Sequence, residues 1–290
     1  TAEKSTEITD NISVSADSTI QIASSKALTY GGKTIDKSIA SILNQTYTDF
    51  ELIISDNYSE DSTEDICRDL ARRDSRICYI RHSAHMSGMD NYKHVLEKAS
   101  GKYFMWHASD DSRSENYIEE NYRNLVGRPD CIGSASPNCF DNQENDRDLW
   151  VRFSLEGSPY VRVQKFMDNA FRSHGIFYGL FRRSALQMVH WPARQPLGVD
   201  WGILVSLLME GSIARIDRGL FVSGRGGISE APGKISRFQY TIMDQVVPFQ
   251  RYSKWVLRAL IGCDHMTLIE KALVARELLW LNWRYKFRSD

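Results

Sequence analysis

The sequence predicts an α/β fold: a mostly parallel sheet flanked by helices and followed by a helical C-terminal extension. Three observations predict it. Short apolar runs alternate with amphipathic segments through the first 126 residues, and the connections between them are short. The run Lys102-Tyr-Phe-Met-Trp-His-Ala-Ser-Asp-Asp111 is strongly apolar and ends abruptly at two carboxylates. From Pro248 onward the pattern is helical, through Tyr252–Ile261 and His265–Tyr285.

Thr1 to about Ser18 is polar and reads as a loosely attached leader. Thr19–Tyr30 holds a first strand that is weakly apolar for a central position. In Lys33–Asn44, Ile35, Ile39, Ile42 and Leu43 recur at helical spacing. Glu51-Leu-Ile-Ile-Ser55 is a continuous apolar strand that stops at Asp56-Asn57. Ser62 and Asp65 are spaced as a capping box for a helix running to about Arg73. Ile77–Arg81 is a strand, Met89–Ala99 a one-faced helix, and Glu115–Val126 a helix after the acid-ended strand.

A parallel sheet built this way collects Tyr30, Asp56, Arg81 and the pair Asp110–Asp111 at successive strand ends. Ligands bind just outside such ends in open α/β sheets. Adjacent carboxylates there suit a hard divalent cation that brings phosphates with it, although Ser-Asp-Asp is also ordinary turn chemistry.

Past Gly127 the rhythm changes. Strands are expected at Cys131–Phe140, Leu149–Phe153, Ile176–Phe181 and Ile213–Ser223, with helices at Val161–Ala170, Arg182–Val189 and Asp200–Gly211. The resulting division is a leader over 1–18, a ligand-binding half over 19–126, a second half over 127–234 and a helical region over 235–290.

Composition narrows the classes. A formal net charge of -1 gives no basic field for nucleic acid. Five cysteines without a Cys-x-x-Cys pair point to reduced thiols and a cytoplasmic setting. No apolar run approaches the ~20 residues of a membrane-spanning helix. His82, His85 and His107 lack the paired spacing of a histidine metal site.

The ordered set Ser41-Ile-Leu-Asn-Gln-Thr-Tyr-Thr-Asp-Phe-Glu-Leu-Ile-Ile-Ser-Asp-Asn-Tyr-Ser-Glu-Asp-Ser-Thr63, Gly88-Met-Asp-Asn91, Ala99-Ser-Gly-Lys-Tyr103 and Asp110–Asp111 resembles the family 2 inverting glycosyltransferases. These have a GT-A fold with a Rossmann-like sheet. Weaker similarity continues through Tyr178–Leu186, Gly198-Val-Asp-Trp201 and Gly224–Ser229.

The resemblance implies a nucleotide-diphosphate sugar donor, a divalent metal (Mg²⁺ or Mn²⁺) and a glycan or lipid-linked acceptor. It implies that Asp56 and Asn57 meet the donor base or ribose, with Thr29 and Tyr30 flanking it. Asp110 and Asp111 form the DxD-type pair, Asp111 nearest the metal. Arg81 either adds charge near the phosphates or forms a structural salt bridge; Asn91 either shapes the donor pocket or caps a helix. Asp200 stands at the family's base position, or is a helix-start acid favoured by the dipole. Trp201 and Arg182 are acceptor-side candidates, against a core tryptophan and a solvated arginine.

Two departures stand out. Leu28-Thr-Tyr-Gly-Gly32 replaces the family's Pro-x-Tyr-Asn-like turn, and Ala108 stands where many members have a further Asp. The altered first strand keeps an inactive GT-A-like binding module in view, and Gly31-Gly32-Lys33 a nucleotidyltransferase. Finally, residues 250–288 carry Trp255, Arg258, Trp280, Trp283, Arg284, Lys286 and Arg288. That pattern fits a helix at the inner face of a membrane, or one packed on the domain or against a second copy.

Overall fold

A computed structural model describes residues 20–26, 34–141, 153–170, 174–224 and 241–287. The leader, Thr29, Tyr30, Gly31-Gly32-Lys33 and most of the strand expected at Leu149–Phe153 lie outside these residues, as do the side chains of Arg284, Lys286 and Arg288.

The main sheet begins as expected. β1 (Ile20–Lys26) lies parallel between β2 (Phe50–Asp56) and β4 (Tyr103–Ala108), with Ile20 opposite both Phe50 and Tyr103. The polar first strand is therefore central, fixed by a hydrogen-bonded neighbour on each side. β3 (Ile77–Arg81) pairs parallel with the far side of β2. Period-two alternation then sorts the core. Ile53, Phe104 and Trp106 face one buried layer, while Leu52, Ile54, Tyr103 and Met105 face the other.

The helices cover both faces. α1 (Ile35–Leu43) buries Ile35, Ile39 and Ile42. α2 (Thr63–Arg73) starts differently from the expected capping box, because the Ser62 side chain makes no cap. Asp61 does that work one residue earlier, accepting from the Thr63 amide (3.1 Å) and hydroxyl (2.5 Å). α3 (Gly88–Lys98) is capped by Ser87, whose hydroxyl accepts from the Asp90 amide. α4 (Tyr117–Gly127) completes the first half.

The second half closes the sheet in an order the alternation does not reveal. The expected strand Cys131–Phe140 is broken at Pro137 into β6 (Cys131–Ala135) and β7 (Asn138–Phe140), as a residue without an N–H tends to do. The span Ile213–Ser223 likewise becomes β9 (Ser212–Arg215) and β10 (Phe221–Ser223), separated by a turn in which Gly219 has φ 71°. Only Leu180–Arg182 of the expected strand Ile176–Phe181 is extended, as β8. β8 runs antiparallel to both β4 and β6, giving the sheet order β3-β2-β1-β4-β8-β6-β9. β5 (Ser112–Arg113) joins β10 and β7 in a separate three-stranded sheet. Asp110 and Asp111 thus sit where the chain leaves one sheet for the other.

α5 (Pro159–Asn169) and α6 (Arg183–Gln187) lead to α7 (Val199–Glu210), and α8 (Ile242–Val246), α9 (Gln250–Gly262) and α10 (Leu268–Phe287) follow. α7 buries Val199, Trp201, Ile203, Leu204, Val205, Leu207, Leu208 and Met209. A helix apolar on all sides has to be covered on all sides, and α5, α6 and α9 pack against it.

The α7–α9 approach depends on Gly202. A Cβ there would lie 2.0 Å from the Trp255 ring, and the indole N–H donates to the His190 carbonyl at 2.7 Å, so the ring is not free to swing away. Helix propensity favours Gly202→Ala by about 1 kcal/mol, but overpacking costs about 1–3 kcal/mol. The net expectation is a lower Tm; an unchanged or raised Tm would show that Trp255 has room to move.

Candidate active site

The site is built from the C-terminal ends of β2, β3 and β4, closed by the end of β10 and by the start of α7. At the end of β2, Asp56 is fully enclosed. Its Oδ1 accepts from the amide of Ser59 at 2.9 Å and from the Ser59 hydroxyl. Its Oδ2 accepts from the Tyr79 hydroxyl at 2.8 Å, and the Arg81 Nε lies 3.6 Å away. Burial first, then the Asp56 hydrogen bond, holds the Tyr79 phenol far above its usual range. Asp56 therefore organises the strand-end turn, and a ligand contact from it has to share these partners.

Asn57 spends its amide on the backbone of Met86, donating from Nδ2 and accepting at Oδ1, each at 2.9 Å. It clamps the loop that enters α3. Between the two bends lies Tyr58 with φ 61°, the one non-glycine with positive φ among the described residues. Such strain in a ringed side chain persists only where the surroundings over-determine it. The ring meets His85 edge-on at 5.4 Å, and the Arg81 guanidinium lies 4.9 Å from its centroid. The sequence reading did not single out Tyr58, because positive φ leaves no mark on a tyrosine.

Two donor-side residues are taken up structurally. The Arg81 Nε is 2.8 Å from Glu64 and its Nη2 donates to the Ser59 carbonyl, an ion pair at the strand end. Asn91 is fully buried, accepting at 2.6 Å from the Ser55 hydroxyl, and ties α3 to β2 rather than capping the helix.

The acid pair is the chemically unusual part. Asp111 is 3% exposed, and its Oδ1 accepts from the Gly224 amide at 3.0 Å. Its Oδ2 is buried without a hydrogen-bond partner among the described residues. Burial first, and then the neighbouring charge of Asp110, push the Asp111 carboxyl up to about 7, against the opposing pull of the Gly224 amide, Arg113 and the Ser223 hydroxyl. Gly224 is required there, since a Cβ would lie 2.2 Å from the Asp110 carbonyl oxygen. A buried carboxylate oxygen with no donor, beside a second acid, fits a divalent cation completed by ligand phosphates. Among the described residues no cluster of three or more His, Cys, Asp or Glu side chains offers a self-sufficient metal cage.

Beneath the acids lies Arg113, which the sequence reading missed. It is buried between the Tyr117 and Phe221 rings, each centroid 5.0 Å away. Its Nη2 donates to the carbonyls of Trp106 and Tyr178, and its Nη1 meets the His107 Nδ1. Burial, aided by Arg113, drives the His107 pKa well down, so its imidazole is neutral. A lone arginine after an acidic turn gives no sequence signal of burial.

Asp200 stands in the first turn of α7, whose N-cap Gly198 has φ 76°. Asp111 and Asp200 both act electrostatically on Tyr178, whose phenol is pushed well above its ordinary range, chiefly by burial. The two acids thus lie within electrostatic reach of one tyrosine, although 89 positions separate them in the chain. The Tyr178 hydroxyl is 3.3 Å from that of Tyr92.

The acceptor-side candidates, Arg182 and Trp201, both make structural contacts. Antiparallel β8 places Arg182 opposite Tyr103, at the end of β4 remote from the acids. Its guanidinium donates to the carbonyls of Cys131 and Leu125. Trp201 is a core residue, 8% exposed and stacked on Phe249 at 5.9 Å with the rings 3° from parallel.

The sequence model for Glycosyl transferase family 2 matches residues 28–188, more than half of the chain. The chain belongs to that family. Among curated glycosyltransferases it is 27% identical over 164 residues to the GalNAc(5)-diNAcBac-PP-undecaprenol beta-1,3-glucosyltransferase of Campylobacter jejuni, covering 53% of this chain and 48% of that protein. It is 33% identical over 152 residues to glycosyltransferase GlyA of Streptococcus pneumoniae, covering 52% and 20%. The chain thus spans half or less of these relatives. S. aureus TarS 1-349 in complex with UDP-GlcNAc superposes with a TM-score of 0.70 at 12% identity, covering 92% of this chain and 73% of that one. Mannosyltransferase PcManGT from Pyrobaculum calidifontis, in complex with GDP-Man and Mn2+, gives 0.57 at 13% identity, covering 94% and 88%. The family 2 chain therefore shares the GT-A fold across nearly all its length.

Proposed function

We propose that this family 2 glycosyltransferase is a metal-dependent, inverting enzyme that moves a sugar from a nucleotide-diphosphate donor to a glycan or lipid-linked acceptor. The observation that carries the reading is the buried, unpartnered Oδ2 of Asp111 beside Asp110 at the end of β4. Asp111 and Asp110 would hold the cation, Mg²⁺ or Mn²⁺, which when bound would supply charge neutralisation for the departing diphosphate.

The strand ends of β2 and β3, with the turn at Asp56–Ser59, receive the nucleoside. Asp200 accepts the proton of the acceptor hydroxyl as that oxygen bonds to the anomeric carbon. The bond from that carbon to the diphosphate breaks on the opposite face, which inverts the centre, and the proton stays on the Asp200 carboxylate. Tyr178, within electrostatic reach of both acids, is held by Tyr92. The lipid-diphosphate substrate named for the Campylobacter relative supports a lipid-linked acceptor, and the UDP-GlcNAc bound to TarS and GDP-Man bound to PcManGT support a nucleotide-sugar donor.

The test is a thermal-shift screen of UDP, GDP, CDP and dTDP sugars with and without Mn²⁺. A ligand that binds only the folded chain at about 100 times its Kd stabilises by roughly 2.7 kcal/mol. One nucleotide should raise Tm only with metal present. No shift with any of them would favour the inactive binding module.

A further inference from the structure

Away from the acid pair, the end of α6, the C-terminal half of α7 and one side of α9 enclose a cleft of about 990 Å³. Arg194, Arg251, Lys254 and Arg258 line it, against the single carboxylate of Glu210. Arg251 is committed to Asp244, at 2.9 Å. Arg194, Lys254 and Arg258 have no ion-pair partner among the described residues. Lys254 and Arg258 lie one turn apart on α9, so both charges project from the same face.

The rim of this cleft is apolar and open. Met188, which lines the cleft, is 55% exposed. At the cleft's end, Gly262 leads into the corner between α9 and α10, where Ile261, Leu268 and Ile269 are 78%, 85% and 74% exposed. Lys271 binds this corner together, its Nζ donating to the Ile261 carbonyl at 3.3 Å. Single exposed apolar residues are ordinary; several at one helix corner beside a cationic cleft are the chemistry of a bilayer surface, with apolar groups for the acyl boundary and cations for headgroup phosphates.

We propose that this cleft and corner dock the enzyme on an anionic bilayer, a lipid headgroup phosphate entering the cleft between Arg194, Lys254 and Arg258. Charge complementarity chooses the occupant: a lining with four cations against one carboxylate calls for a phosphate ester, and the open apolar corner calls for one carried by a lipid. The cleft also communicates with the candidate base helix, since Trp255, which lines it, packs on Gly202, two residues from Asp200. The inference extends the lipid-linked acceptor reading but does not depend on the donor chemistry.

The test is co-sedimentation of the chain with phosphatidylcholine vesicles, with vesicles containing phosphatidylglycerol, and with the latter in the presence of glycerol phosphate. Binding is expected only to the anionic vesicles and should weaken with salt. Each cation removed should cost about fivefold, so Lys254→Ala with Arg258→Ala should lose roughly 25-fold, and Ile261→Asp should also release the chain. The metal-dependent donor shift, read in parallel on the same variants, should not change. A chain that keeps the donor shift yet ignores every vesicle overturns the docking proposal alone. Equal binding to neutral vesicles overturns it as well. So does saturation by glycerol phosphate without vesicle binding, which would make the cleft a small-anion site. A solution dimer split by Ile261→Asp would make the corner a subunit contact and overturn it too.

Discussion

Asp111→Asn is expected to make the metal-free protein more stable near neutral pH while abolishing its metal-dependent response to donor. The Asp111 carboxyl titrates at about 7 in the folded chain against an ordinary 3.8. Between those values the folded state keeps a proton that the unfolded state has released, so stability falls as pH rises from about 4 to about 7 and levels off above. At 1.36 kcal/mol per unit the full difference is about 4 kcal/mol at most. The asparagine is neutral throughout, and leaving its NH₂ without an acceptor costs about 1–3 kcal/mol, so a net gain of about 1–3 kcal/mol remains at about pH 8. Thermal melts in EDTA across that range check it: the native chain should lose Tm with rising pH, and the variant much less. A flat native profile would mean that Asp111 is solvated or already neutralised. Metal opposes the same penalty, so Mn²⁺ should bind more tightly as pH approaches 7.

Asp200→Asn is expected to separate binding from transfer. Loss of a general base removes about 100- to 10,000-fold in kcat, whereas the metal-dependent donor shift should stay near that of the parent. The asparagine keeps the shape of the α7 first turn, so Tm should move little. Product formation with a genuine acceptor is the deciding measurement. Transfer at the parental rate would take the base role from Asp200 and direct attention to the Tyr92–Tyr178 pair; a lost donor shift would make Asp200 part of the donor site.

The sequence carried the first half of the fold and the acid pair well. Helix and strand periods are local signals, and the abrupt end of a buried strand at Asp110–Asp111 is visible without any tertiary knowledge. What it could not carry was strand direction. A run such as Tyr178–Arg182 reads the same whether it joins the sheet parallel or antiparallel, and the antiparallel choice moves Arg182 to the end of β4 remote from the acids. Burial of single polar residues is equally silent: Arg113, Asn91 and Asp56 look like surface chemistry in the sequence and are enclosed in the fold. The burial of Trp201 was hidden for a related reason. Its neighbours on α7 are apolar on every side, a pattern that signals a covered helix more strongly than a binding face.

The covering of α7 has a consequence for building hybrid enzymes. Asp200 rides on a helix whose start is set by Phe249 against Gly198 and whose flank is set by Trp255 against Gly202. The family match ends at residue 188, before any of these residues. A chimaera joined at that boundary would graft a donor-binding half onto a foreign helix with the wrong wedge above it. A cut before α5 fares no better, because it parts β8 from β4 and β6, β10 from β5 and β7, and Gly224 from Asp111; the two halves are one interlocked body that has to be exchanged whole.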